Sequence, residues 1–159
     1  MSVLITAATN SAAFQLARIL NTEDICFGSD MDIPVLAGKR FLKIPSSNSS
    51  SFIHEVLKIC LDHQIVEIYP LLPDEIVEFS KSRQLFEEFE IKLIIPSIKW
   101  IETRLKDSPF LSTNLFVLID GKVCAGNIDK ESMQLFNEEN GIFYWELRYN
   151  QLIFGSFIV

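Results

Sequence analysis

The sequence predicts an α/β fold: five parallel strands in the order 3-2-1-4-5, followed by a C-terminal antiparallel β addition. Three observations carry this reading. Short apolar runs alternate with helical periodicity as far as Ile101, the pattern of strands joined by crossover helices. The first run, residues 3–7, passes straight into a small polar turn that opens an amphipathic helix. Beyond Pro109 the rhythm changes to strand pairs around dipeptides such as Asp120 and Gly121, a strong short-range hairpin signal.

The elements follow in order. Residues 3–7 read as a fully buried strand, and Asn10 or Ser11 caps a helix whose Ala13, Leu16, Ala17 and Leu20 recur at helical spacing. Residues 23–28 form a second strand ending at Gly28, Ser29 and Asp30; a loop through Pro34 and Gly38 leads to a third, residues 40–44, closed by Pro45. The polar run 46–51 is a capped loop before a helix carrying Phe52, Ile53, Val56, Leu57 and Cys60. Residues 65–69 make the fourth strand. Pro70 to Glu75 then turn into one helix with Ile76, Phe79, Leu85, Phe86 and Phe89 available for packing. Residues 91–95 give the fifth strand, and Ile98, Ile101 and Leu105 share a face of a short helix after Pro96 and Ser97. The sheet is thus Rossmann-like, with right-handed crossovers expected.

The remainder, residues 110–159, is assigned as a β-rich extension packed on the α/β domain of residues 1–109. It holds strands 115–119 and 123–126, a helix over 129–137, and strands 142–147 and 152–158 paired across a turn at Tyr149 and Asn150. Phe143, Trp145 and Leu147 alternate as on a strand with one buried face. Leu152, Ile153 and Phe154, like Phe157, Ile158 and Val159, read as buried on both faces. So apolar a tail is expected to cover the main sheet and to add a homodimer contact.

Composition narrows the function classes. At 159 residues and 48% hydrophobic content the chain suits one core, burying about 70% of its unfolded surface. A net charge of -7 with 14 scattered basic residues argues against nucleic acid and membrane surfaces as partners. No apolar run spans a bilayer, and the first basic residue is Arg18, so a cytoplasmic location is expected. Cys26, Cys60 and Cys124 form no CxxC pair and read as buried reduced thiols. His54 and His63 fall on opposite faces of one helix, too far apart to share a metal.

From Val3 to about Ile101 the ordered series of strands, the turn over residues 6–10, Gly28, Ser29, Asp30, Pro34, Pro45, Pro70, Asp74, Glu75, Pro96 and Ser97 resembles the N-terminal, pre-ATP-grasp domain of ATP-grasp ligases. Its carbamoyl-phosphate-synthetase-like members are the most similar. The resemblance implies a domain that helps bind an acceptor substrate, with ATP and magnesium held by a later domain that this sequence does not contain. It implies a separately encoded ATP-grasp subunit as partner. Where the family favours glycine in the first turn, this chain has Ala7, Ala8 and Thr9, and Lys99 or Lys106 stands where the family's ATP-binding domain begins.

In an open α/β sheet the ligand crevice lies beyond the strand C-termini where the order reverses, here between strands one and four. That selects Thr6, Ala7, Ala8, Thr9 and Asn10 with Asp74 and Glu75 as ligand-binding candidates, and Asp30 as a ribose-type acid. Each has a plainer reading. Thr9, Asn10 and Ser11 suffice as a helix cap, and Asp74 and Glu75 complement a helix dipole. No catalytic residue, metal or cofactor is assigned, since no Ser-His-Asp, Cys-His or metal-ligand spacing occurs and no Gly precedes Gly28 to admit a pyrophosphate. The expected function is a stand-alone domain, non-catalytic alone, binding a small acid or amine or serving a ligase subunit. The alternatives are an enzyme using the same crevice with an unidentified cofactor, and a structural or oligomeric interaction protein.

Overall fold

The computed structural model describes residues 1–32, 40–104, 114–136, 138–149 and 151–155. Pro34, Gly38, Leu105, Lys106, Pro109, Asn137, Asn150, Phe157, Ile158 and Val159 lie outside them. The chain divides into two compact units, Met1–Leu93 and Ile94–Val159, earlier than the boundary drawn at residue 109.

In the first unit the continuous apolar runs become β1 (Ser2–Ile5), β2 (Ile25–Ser29), β4 (Ile65–Tyr69) and β5 (Lys92–Leu93), with the more polar β3 (Arg40–Lys43) at one edge. All pair in parallel in the order β3-β2-β1-β4-β5. Val3 registers with Ile25 on one side and Glu67 on the other. Helices α1 (Ser11–Leu20) and α2 (Phe52–Asp62) follow β1 and β3. Asn10 caps α1, its side-chain oxygen accepting from the Ala12 N–H at 3.0 Å; Asn21 ends it in a left-handed conformation. Leu4, Ile5, Leu16, Val56, Cys60 and Ile68 are fully buried. Phe52, Phe79 and Phe86 pack in series, tilted at 5.2 Å and edge-on at 5.5 Å between ring centres.

Three expectations need correction here. The helix after Glu75 is two helices, α3 (Pro73–Lys81) and α4 (Arg83–Glu88). The Ser82 N–H bonds to the Phe79 carbonyl at 3.0 Å, a tightened last turn that leaves the α-helical ladder and redirects the chain. Phe89, past that break, is exposed instead of packed. The fifth strand pairs over two residues only, so Ile94 and Ile95 are buried outside it.

The second unit is a four-stranded antiparallel sheet, order β7-β6-β8-β9, built from β6 (Leu115–Ile119), β7 (Lys122–Gly126), β8 (Gly141–Arg148) and β9 (Gln151–Gly155). Asp120 and Gly121 both take positive φ, 52° and 71°, the signature of a type I′ hairpin turn. Helix α5 (Ile98–Arg104) supplies Trp100 to a cluster with Phe116, Leu118, Phe136, Phe143 and Phe154. Trp100 meets Phe143 edge-on at 5.0 Å. The start of α5 is tethered by Glu139, whose carboxylate accepts from the Ser97 N–H at 2.8 Å and the Ser97 hydroxyl at 2.6 Å.

Four further expectations change in this unit. The helix expected over 129–137 is a five-residue 3₁₀ turn, Ser132–Phe136, which Asp129 caps through the Ser132 N–H and hydroxyl. Ile98 faces out of α5 and is exposed. Leu147 and Leu152 register opposite each other at the far end of β8 and β9, beyond the aromatic cluster, and are 64% and 41% exposed. Cys124 is exposed on the outer strand β7, whereas Cys26 and Cys60 are buried.

Candidate functional site

The sheet order places the C-terminal ends of β1 and β4 side by side at the reversal point, and the Thr6 N–H closes that junction on the Tyr69 carbonyl at 3.2 Å. Immediately beyond it Ala7 takes φ 51°. This left-handed residue turns the chain so that the Asn10 N–H bonds to the Ala7 carbonyl at 2.8 Å and the Ala8 N–H reaches back to Gly28 of β2 at 3.0 Å. Ala7 and Ala8 are buried and Thr9 is exposed.

Thr6 itself is fully buried. Its hydroxyl accepts from the Leu71 N–H at 3.0 Å and donates to Glu75 Oε2 at 2.5 Å. Glu75 occupies the third position of α3, opened by Pro73, and its carboxylate also accepts weakly from the Leu72 N–H at 3.4 Å. The result is a continuous chain of hydrogen bonds from the Leu71 backbone through Thr6 to a carboxyl only 4% exposed. Burial pushes the Glu75 carboxyl up to about 7. The bonds from Thr6 and Leu72 oppose that shift, and the negative charge of Asp30 adds to it. A carboxyl placed so changes charge near neutral pH and can give, take or share a proton with a basic group.

Of the residues singled out in the sequence, the structure joins Thr6 to Glu75 directly and sets Asp30 within electrostatic reach of Glu75. Ala7 and Ala8 contribute only the turn. Asn10 serves as the α1 cap, so the Ala12 N–H is already satisfied. Thr9, Asp30 and Asp74 are exposed. Leu71 and Leu72, whose N–H groups complete the constellation, were missed. The detectable signal was Glu75 three residues past Leu72, the spacing at which a carboxylate folds back onto a helix start. Among the described residues no group of three or more His, Cys, Asp or Glu could hold a metal ion, and no helix is long and apolar enough to cross a membrane.

The fold and this junction define the class: a Rossmann-like parallel α/β domain with a buried threonine–glutamate pair at its topological switch point. No protein-family model and no curated protein matches the chain.

Proposed function

We propose that the first unit is a small-molecule-binding domain of pre-ATP-grasp type, non-catalytic alone, that takes a protonated amine at the switch point and presents it to a separately encoded ATP-grasp ligase. The carrying observation is the buried Thr6–Glu75 pair with Asp30 in electrostatic reach. Between a small acid and a small amine, the charges favour the amine, because a carboxylate or phosphate would meet Glu75 and Asp30 as like charges. The ordered strand–turn series and the sheet order support the pre-ATP-grasp part of the reading.

Calorimetric titration with diamines and amino acids, against dicarboxylates as controls, tests it. Amine affinity should rise as pH passes upward through about 7, where Glu75 gains its charge, and Glu75→Gln should flatten that dependence. Thr9→Arg alters an exposed position and sets a cation at the rim; it should weaken amine binding at least tenfold with the melting temperature unchanged. Dicarboxylates binding more tightly than amines would overturn the assignment.

A further inference from the structure

We propose that the cleft beside Trp145 in the second unit is a binding site for a small organic cation, an aromatic or branched alkyl group that carries an ammonium. The cleft has a volume of about 330 Å³ and is lined by Asn127, Ile128 and Asp129, which follow β7, with Trp145 of β8 and Leu152 of β9. That volume falls near the lower end of the range for small-molecule sites. All five residues belong to one compact unit, so the site stands apart from the switch point and does not rest on the reading given for it.

The walls are apolar and held in place. Ile128 and Trp145 pack against the aromatic cluster that contains Trp100, Phe116 and Phe143. The Trp145 indole N–H donates to the Asn127 carbonyl at 3.1 Å, which orients the ring and uses its only donor. What the indole then offers a ligand is its π surface, negative over the ring face. Leu147 and Leu152 face each other in register, two positions from the pair Trp145 and Phe154, so Leu152 shares the Trp145 face and adds an apolar wall.

Charge selects the occupant. Asp129 is the ionisable residue among the described lining residues. Its Oδ1 accepts from the Ser132 N–H at 2.8 Å and its Oδ2 from the Ser132 hydroxyl at 2.6 Å. These bonds hold its carboxyl below the ordinary value and fix it at the cleft, while each oxygen keeps a lone pair for another donor. Among the described residues no Lys, Arg or His forms an ion pair with it. A carboxylate without a cation of its own, set beside an indole, suits an ammonium: the charge meets Asp129 and the carbon skeleton lies against the ring. An anion meets Asp129 as a like charge and finds no basic side chain in the described lining. A neutral apolar molecule leaves the carboxylate unused. The net charge of -7 also raises the concentration of cations at the surface.

Titration of the isotope-labelled intact chain with phenethylamine is the test, followed by nuclear magnetic resonance, with phenethyl alcohol and hydrocinnamate as the neutral and anionic counterparts. The chain has two tryptophans, so the indole N–H resonance missing from Trp145→Phe reports on the cleft. The amine should shift that resonance saturably and bind about fivefold more tightly than the alcohol, with hydrocinnamate the weakest. Asp129→Asn keeps an acceptor for the Ser132 N–H and should erase the preference for the amine. Glu75→Gln should retain that preference, which separates this cleft from the switch point. An unmoved Trp145 resonance, an alcohol that binds as tightly as the amine, or a preference that survives Asp129→Asn or is lost in Glu75→Gln would overturn the proposal.

Discussion

Glu75 is a buried acid whose carboxyl sits at about 7 instead of the ordinary 4.5, and the direction of that shift fixes how stability depends on pH. Below about 4.5 the group is protonated in both folded and unfolded chains and burial costs nothing extra. Between about 4.5 and 7 the unfolded chain releases its proton first, so stability falls as pH rises; above 7 the full penalty is present. A shift of this size corresponds to roughly 3 kcal/mol. Glu75→Gln keeps an acceptor for Thr6 without the charge, so its urea-denaturation stability should lose this downward slope and exceed that of the parent chain above pH 7. Thr6→Val removes both the donor to Glu75 and the acceptor of the Leu71 N–H. It should cost roughly 1–3 kcal/mol in the same measurement, since a buried N–H is left without its partner. The sequence placed these two residues in the same crevice because each follows a strand end at the reversal point. It did not show that one hydroxyl would bind the other's carboxylate, because that bond spans 69 positions.

At the scale of elements, the parts that agreed best with the sequence were those whose geometry is enforced locally. The Asp120 and Gly121 hairpin follows from two adjacent residues that tolerate positive φ, and the start of α1 follows from Asn10. Gly126, at the end of β7, is held by a long-range constraint: a Cβ there would lie 2.3 Å from the Leu115 carbonyl oxygen and 2.7 Å from Phe116 Cα, at φ 79°. Gly126→Ala must therefore distort the β6–β7 pairing, at a cost of roughly 2–4 kcal/mol. A lowered denaturation midpoint for the second unit, with β7 amides exchanging faster, is the expected result. The break between α3 and α4 was not legible, because Phe79, Leu85 and Phe86 fit one helical stripe as well as two. Across the break Phe79 of α3 meets Phe86 of α4 edge-on at 5.5 Å and Phe52 of α2 at 5.2 Å, tertiary contacts that the helical stripe alone does not show.

At the scale of the whole molecule, the division after Leu93 puts Trp100 in the same compact unit as Phe116, Phe136 and Phe143. A fragment of residues 94–159 retains every described member of that cluster and should keep near-ultraviolet aromatic dichroism and a cooperative melt. A fragment of residues 110–159 lacks Trp100 and the Ser97–Glu139 tether and should lose both; equal behaviour of the two fragments would argue against that division. The sequence by itself determined the alternation of strands with helices in the first part of the chain and the change to antiparallel pairing, because both rest on short-range periodicity and on turn residues with restricted φ and ψ; the parallel order 3-2-1-4-5 followed from the general preference of alternating strand–helix chains for right-handed crossovers. Tertiary structure alone decided that Thr6 and Glu75 share a buried hydrogen bond, that Glu139 holds the start of α5, and that Leu147 and Leu152 remain exposed while Phe143 and Phe154 are buried. Apolar character is the same at all four of those strand positions. Only the reach of the aromatic cluster along β8 and β9, set by residues distant in the chain, determines which of them is covered.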